Sequence, residues 1–166
     1  MRVLLLLLAS CTTDYAWDDV PTAIVTAHSE YPEHTTGWSE QVTKDMDSWN
    51  TVMVNVGCTA PFVMGANGNP VTLVRYSNWP ANSNIRGVTT SDGIKVRVPF
   101  FIINHRLLDH PAILLHEFGH AIGLGHSDSI HGASIMTPEP TSDVITELDV
   151  KAAACLLGCG SCDEDL

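Results

Sequence analysis

Positive charge is scarce in this chain. Eight Lys and Arg stand against 19 Asp and Glu, a net charge of −11, and no basic cluster interrupts the acidic balance. A nucleic-acid partner needs such a cluster to neutralise phosphates, so none is expected. Long apolar runs are missing as well. Residues 3–9 form the longest, seven in a row, against the roughly 20 that a membrane-spanning helix needs. No internal repeat and no low-complexity stretch appears, which leaves ordinary globular folding. The 166 residues suffice for one domain with a real core and short appendages.

Residues 1–11 read as an export leader. Arg2 supplies the positive start, residues 3–9 the apolar run, and Leu8-Ala9-Ser10-Cys11 the cleavage site. Those last four residues resemble a bacterial lipobox, which implies lipidation at Cys11 and a membrane attachment through that anchor alone. The alternative is a short leader in which Cys11 is an ordinary thiol. An exported protein is expected, either a cell-envelope lipoprotein (Thr12 after the cysteine favours the outer membrane) or a secreted one. The expected organisation is a leader over 1–11, a polar acidic tether over 12–21, a folded domain over 22–158 and a cysteine-containing acidic tail over 159–166.

Within the domain, a strand is expected over 22–27 and a helix over 36–50, where Trp38, Val42, Met46 and Trp49 make an apolar stripe at helical spacing. Val52, Val54 and Val56 alternate as in a strand. Residues 66–70 form a turn cluster, followed by a strand over 71–76, a polar loop over 78–84, a short strand over 85–90 and a turn at 91–93. A longer strand is expected over 94–103, with Pro99 marking a bulge or an edge. The next helix has Asp109 as its N-cap and Pro111 in its first turn, with Leu114, Leu115, Phe118 and Ile122 on its buried face. Pro138 and Pro140 interrupt regular structure. Thr146-Glu147-Leu148-Asp149 fits the capping box of a last helix that stops at Gly158. Cys58, Cys155, Cys159 and Cys162 suggest two disulfides in an exported chain, with three connectivities open. A second zinc site built from the three tail cysteines is the alternative.

Of the eight histidines, His28, His34, His105, His110 and His131 read as surface or structural residues. The other three fall in one stretch, His116-Glu117-Phe118-Gly119-His120-Ala121-Ile122-Gly123-Leu124-Gly125-His126. Read as helix, His116 and His120 share a face and make a natural pair of zinc ligands, with Zn–N bonds of about 2.0–2.1 Å. Glu117 sits beside the first of them, close enough to reach a water on the metal. His126, if the helix continued, would lie about 15 Å further along the axis at about 1.5 Å per residue. It could then share no metal with His116. The chain must turn back, and Gly123 lets it, because glycine enters the left-handed conformation without a Cβ clash.

This HExxHxxGxxH spacing is followed by Ser127 directly after the third histidine and then by Ser134-Ile135-Met136-Thr137-Pro138. The pattern resembles the metzincin zinc peptidases, and among them the matrixins; Leu156-Leu157-Gly158 at the end of the last helix fits too. The resemblance implies an α+β fold, a twisted mixed β-sheet with three main helices, one helix carrying HExxH, and a Met-turn. It implies one catalytic Zn2+ on His116, His120 and His126, with Glu117 as catalytic base and Met136 beneath the metal. The implied reaction is endopeptidase hydrolysis of protein or peptide substrates by a metal-activated water. An extended substrate is expected to pair with an edge strand at Gly87, Val88 and Thr89, and the protein to be a monomer.

Three departures accompany the likeness. No matrixin-like propeptide with a cysteine switch is expected, Thr137 and Pro140 stand where matrixins often carry Tyr, and the extra structural zinc and calcium ligands of the vertebrate enzymes are not evident. Calcium binding at Asp92 or at residues 67–69 is conceivable, but ordinary turns explain those residues better. The competing reading is a non-catalytic, zinc-stabilised surface lipoprotein or binding module. Its expected signature is loss of the general base, and Glu117 is present.

Overall fold

The apolar stripe of the first long helix sets the architecture. The computed structural model describes residue 17 and residues 22–79, 86–97, 111–127, 134–138 and 143–162. The leader with Cys11, the tether apart from Trp17, residues 80–85, the expected strand residues 98–103, the Asp109 cap, Pro140, the histidines at 105, 110 and 131, and residues 163–166 lie outside the described residues. Helix α1 (Thr35–Asn55) buries Trp38, Val42, Met46, Trp49 and Met53 along one face. Each such side chain, fully buried, contributes on the order of 1.5–3 kcal/mol. Indole groups fix its position. Trp38 Nε1 donates to the Val71 carbonyl at 2.9 Å, and Trp49 Nε1 donates to the Leu115 carbonyl at 2.8 Å.

The strand expected at Val52, Val54 and Val56 does not form; α1 continues through Asn55. The step from Trp49 to Met53 extends the helical stripe into the core, while Val54 and Val56 are 53% and 48% exposed. Burial of Met53 therefore outweighs the β preference of the valines.

Strands β1 (Ala23–Ser29), β2 (Phe62–Met64), β3 (Asn69–Val74), β4 (Gly87–Thr90) and β5 (Gly93–Arg97) form one mixed sheet in the order β2-β1-β3-β5-β4. All neighbours run parallel except β4, which lies antiparallel on β5 at the edge, pairing Thr89 with Ile94 and Gly87 with Val96. Strand β2 was not legible in the sequence. Its first residue is held by a side chain: Asn50 Nδ2 donates to the Phe62 carbonyl at 2.9 Å, and the Phe62 N–H donates to Asn50 Oδ1 at 3.0 Å.

Helix α2 (Pro111–Ile122) packs on α1 and over β4 and β5, and α3 (Glu147–Leu156) touches both other helices. The core gathers Val25, Val71, Leu73 and Ile94 from the sheet with Phe118, Ala121 and Ile122 from α2. Trp17 joins it, donating its indole N–H to the Thr90 carbonyl at 3.1 Å and its backbone N–H to the Ala121 carbonyl at 3.0 Å. Two disulfides, Cys58–Cys159 and Cys155–Cys162, fasten the end of α3 to the end of α1 and close the tail on itself. This pairing takes up all three tail cysteines, so they form no second zinc site. Among the described residues, no helix is long and apolar enough to cross a membrane.

Candidate metal centre

Residues 114–122 of α2 are all buried, as expected for a helix that is apolar on nearly every side. Two polar imidazoles and a carboxylate lie within that buried run. His116 and His120 are each 1% exposed and Glu117 is 0% exposed. Buried polar groups need partners, and both histidines have them. His116 Nδ1 lies 2.7 Å from the Ile135 carbonyl, and His120 Nδ1 lies 2.7 Å from the Leu124 carbonyl. A carbonyl oxygen only accepts, so each Nδ1 carries the proton and each Nε2 carries a lone pair.

The two Nε2 atoms are 2.8 Å apart. With neither protonated, this contact is two lone pairs face to face, an arrangement that repels unless a cation accepts both. Burial, the largest influence, pulls the His116 pKa down to about 4 and the His120 pKa down to about 3. Both rings therefore stay neutral at ordinary pH, the state a metal ligand requires.

The third ring arrives through a helix stop. Gly123 takes φ of 111°, its N–H donates to the His120 carbonyl at 2.9 Å, and the Leu124 N–H donates to the Gly119 carbonyl at 3.0 Å. That pair of bonds is a Schellman motif. The reversal both turns the chain and presents the Leu124 carbonyl to His120. His126, exposed at the rim, then closes on the other two, with ring centroids 5.3 Å from His116 and 4.9 Å from His120. Ligand atoms from His116, His120 and His126 all lie within 4.8 Å of one another, and among the described residues this is the only such group. Three neutral imidazole nitrogens converging in this way fit zinc.

Met136 is 2% exposed and runs beneath α2. A Cβ on Gly119 would overlap its Sδ and would approach Trp49 Cζ2 to 3.1 Å. Gly119 thus leaves room for Met136, a role that the sequence reading missed. The turn carrying Met136 is held by one buried carboxylate. Asp149 accepts from Ser134 Oγ and from the Ile135 N–H at 3.2 Å, and Ser134 Oγ in turn accepts from the Met136 N–H at 2.9 Å. The same carboxylate accepts from the Thr146 N–H at 2.8 Å and so completes the expected capping box of α3. Ile135 therefore links α3 to the metal centre, its N–H on Asp149 and its carbonyl on His116. The Ser127 N–H, donating to the Met136 carbonyl at 2.9 Å, ties the segment beyond His126 to the same turn.

Glu117 faces the edge strand. Thr89 Oγ1 lies 2.6 Å from Glu117 Oε2 and 3.0 Å from the Glu117 carbonyl. A Cβ on Gly87 would overlap Glu117 Oε1. Gly87, Val88 and Thr89, expected along a substrate edge, lie on β4, the last strand of the sheet among the described residues. Gly87 and Thr89 in addition turn towards Glu117.

No curated protein matches the chain. The family model of the matrixins, zinc-dependent peptidases, matches residues 12–154, and the chain belongs to that family.

Proposed function

We propose that the protein is an endopeptidase in which His116, His120 and His126 hold one zinc ion and Glu117 is the general base. The observation that carries this reading is the approach of the two Nε2 atoms to 2.8 Å while each Nδ1 faces a carbonyl oxygen, with the third imidazole closing on them and a fully buried carboxylate next in sequence to the first ligand. A zinc ion there supplies Lewis acidity towards a carbonyl oxygen and makes water more acidic.

The remaining work belongs to the chain itself. Glu117 takes a proton from the attacking water at its carboxylate and passes it to the departing amine nitrogen. The carbonyls of Ile135 and Leu124 keep His116 and His120 in the tautomer that presents Nε2. Met136, Gly119 and Gly123 fix the floor and the return of the chain. The backbone of β4, at the sheet edge, offers an extended peptide its hydrogen bonds. Protein or peptide substrates follow, acted on by a monomer that is exported and anchored, when lipidated, through Cys11.

Denatured casein incubated with the purified protein, with and without a chelator, tests this. Cleavage that stops on chelation and returns with zinc is expected. Glu117→Ala should keep its zinc and lose turnover by at least about 10²–10⁴-fold, the usual contribution of a general base. Undiminished cleavage by the zinc-loaded variant would remove Glu117 from the reaction.

A further inference from the structure

We infer that Thr89 is the positioning residue for Glu117, and that Gly87 clears the space its carboxylate fills. The inference rests on reading Glu117 as the general base. Residues two apart on a strand share a face, and on β4 Gly87 and Thr89 are both buried while Val88 and Thr90 are only half-buried. The buried face meets α2 at Glu117. At Gly87 a Cβ would overlap Oε1 and stand 2.9 Å from both Cδ and Cγ. At Thr89 a 0% exposed hydroxyl reaches Oε2 at 2.6 Å and the backbone carbonyl of the same glutamate at 3.0 Å. One position makes room for the carboxylate and the next inward position grips it.

The hydroxyl has one proton and faces two acceptors. While the carboxylate is charged, that proton goes to Oε2, a short charge-assisted bond. Once the carboxyl has taken the proton of the attacking water on its other oxygen, Oε2 is still an acceptor and keeps the Thr89 proton, while the transferred proton stays free to move on to the departing amine. Thr89 begins and ends with one proton. It keeps a bond to the side chain before and after the transfer, with no movement of heavy atoms. A glutamate has three side-chain torsions, and holding it in one orientation keeps the base aligned for transfer.

Thr89→Val, which keeps the shape and removes the hydroxyl, is compared with Thr89→Ser, which keeps the hydroxyl. In Thr89→Val, kcat on a peptide substrate should fall by about 10–100-fold, the range for partners that orient active-site groups. KM should stay within about threefold, because the contact serves the reaction rather than substrate binding. Zinc per chain should be unchanged, and Thr89→Ser should restore kcat to within about threefold of the parent. Crystal structures of the metal-free proteins provide a readout independent of activity. The Glu117 carboxylate should leave its place in Thr89→Val and keep it in Thr89→Ser; Thr89→Ala replaces Thr89→Val if the latter does not fold. An unchanged kcat, a loss confined to KM, or a Glu117 side chain unmoved without the hydroxyl would each overturn the inference. If Glu117→Ala were fully active, the general-base reading would fail separately, and the crystal comparison alone would decide whether Thr89 seats the side chain.

Discussion

Asp149 offers the sharpest test of how the fold supports the metal centre. It is 3% exposed, and it accepts from Ser134 Oγ, the Ile135 N–H, the Thr146 N–H and Thr146 Oγ1. Replacement by Ala removes the acceptor and leaves the buried Ile135 N–H and the Ser134 hydroxyl without it. A buried donor stripped of its partner costs about 1–3 kcal/mol, and loss of the capping box at α3 adds about 1 kcal/mol. With two donors stripped and the cap lost, a destabilisation of about 3–7 kcal/mol follows. In a chain of this size that lowers Tm by at least roughly 6 °C.

The same change frees Ile135, whose carbonyl fixes His116 Nδ1 at 2.7 Å. Zinc affinity should therefore drop by about 10–100-fold, as for other groups that orient ligands. Urea unfolding of the metal-free protein gives the first number, and titration of zinc against a chelator of known affinity gives the second. A variant that loses stability but binds zinc as tightly as the parent would refute the link through Ile135. A variant that loses neither would refute the role of Asp149 altogether.

Cys58–Cys159 joins residues 101 apart, so replacing both by Ala should lower stability by about 2–5 kcal/mol; an unmoved urea midpoint would show that the link carries no load. Gly119→Ala places a Cβ against Met136 Sδ and should cost about 1–3 kcal/mol by overpacking, measured by thermal unfolding; an unchanged Tm would mean that the methionine moves aside freely. The metal-free protein should lose stability as pH falls from about 6.5, the ordinary imidazole value, to about 4. Over that window the unfolded imidazoles bind protons that His116 and His120, held down to about 4 and about 3 by burial, do not bind, and stability drops wherever the unfolded state binds more protons as pH decreases. The urea midpoint at pH 7.5 and pH 5 in the presence of chelator checks this, compared between the parent and His120→Ala; an equal pH dependence in the two would contradict it.

The parts of the site written in local spacing were legible before any coordinates. His116 and His120 four apart, the stop at Gly123 and the Thr146 capping box are each decided within a few residues, and the structure brings the two rings together with His126, gives Gly123 a positive φ and forms the cap. The contacts that hold these parts together were not legible. Thr89 meets Glu117 across 28 residues and Ile135 meets Asp149 across 14, and such pairings leave no periodic trace in the chain. Gly119 reads as a weak helix residue until Met136 is seen beneath it. The valines after Trp49 satisfy a strand pattern and a helix stripe together, and only burial of Met53 decides between them. Disulfide pairing was undetermined for the same reason, since four cysteines allow three connectivities and the fold selects one.

The central claim is that three imidazoles hold one zinc ion on which peptide hydrolysis depends. The most direct test is metal content per chain by elemental mass spectrometry, taken on the same sample as cleavage of denatured casein before chelation, after chelation and after zinc is returned. One zinc per chain, lost together with cleavage and regained together with it, is the predicted result. Cleavage that persists in protein stripped of metal, or a chain that binds no stoichiometric zinc, would contradict the account.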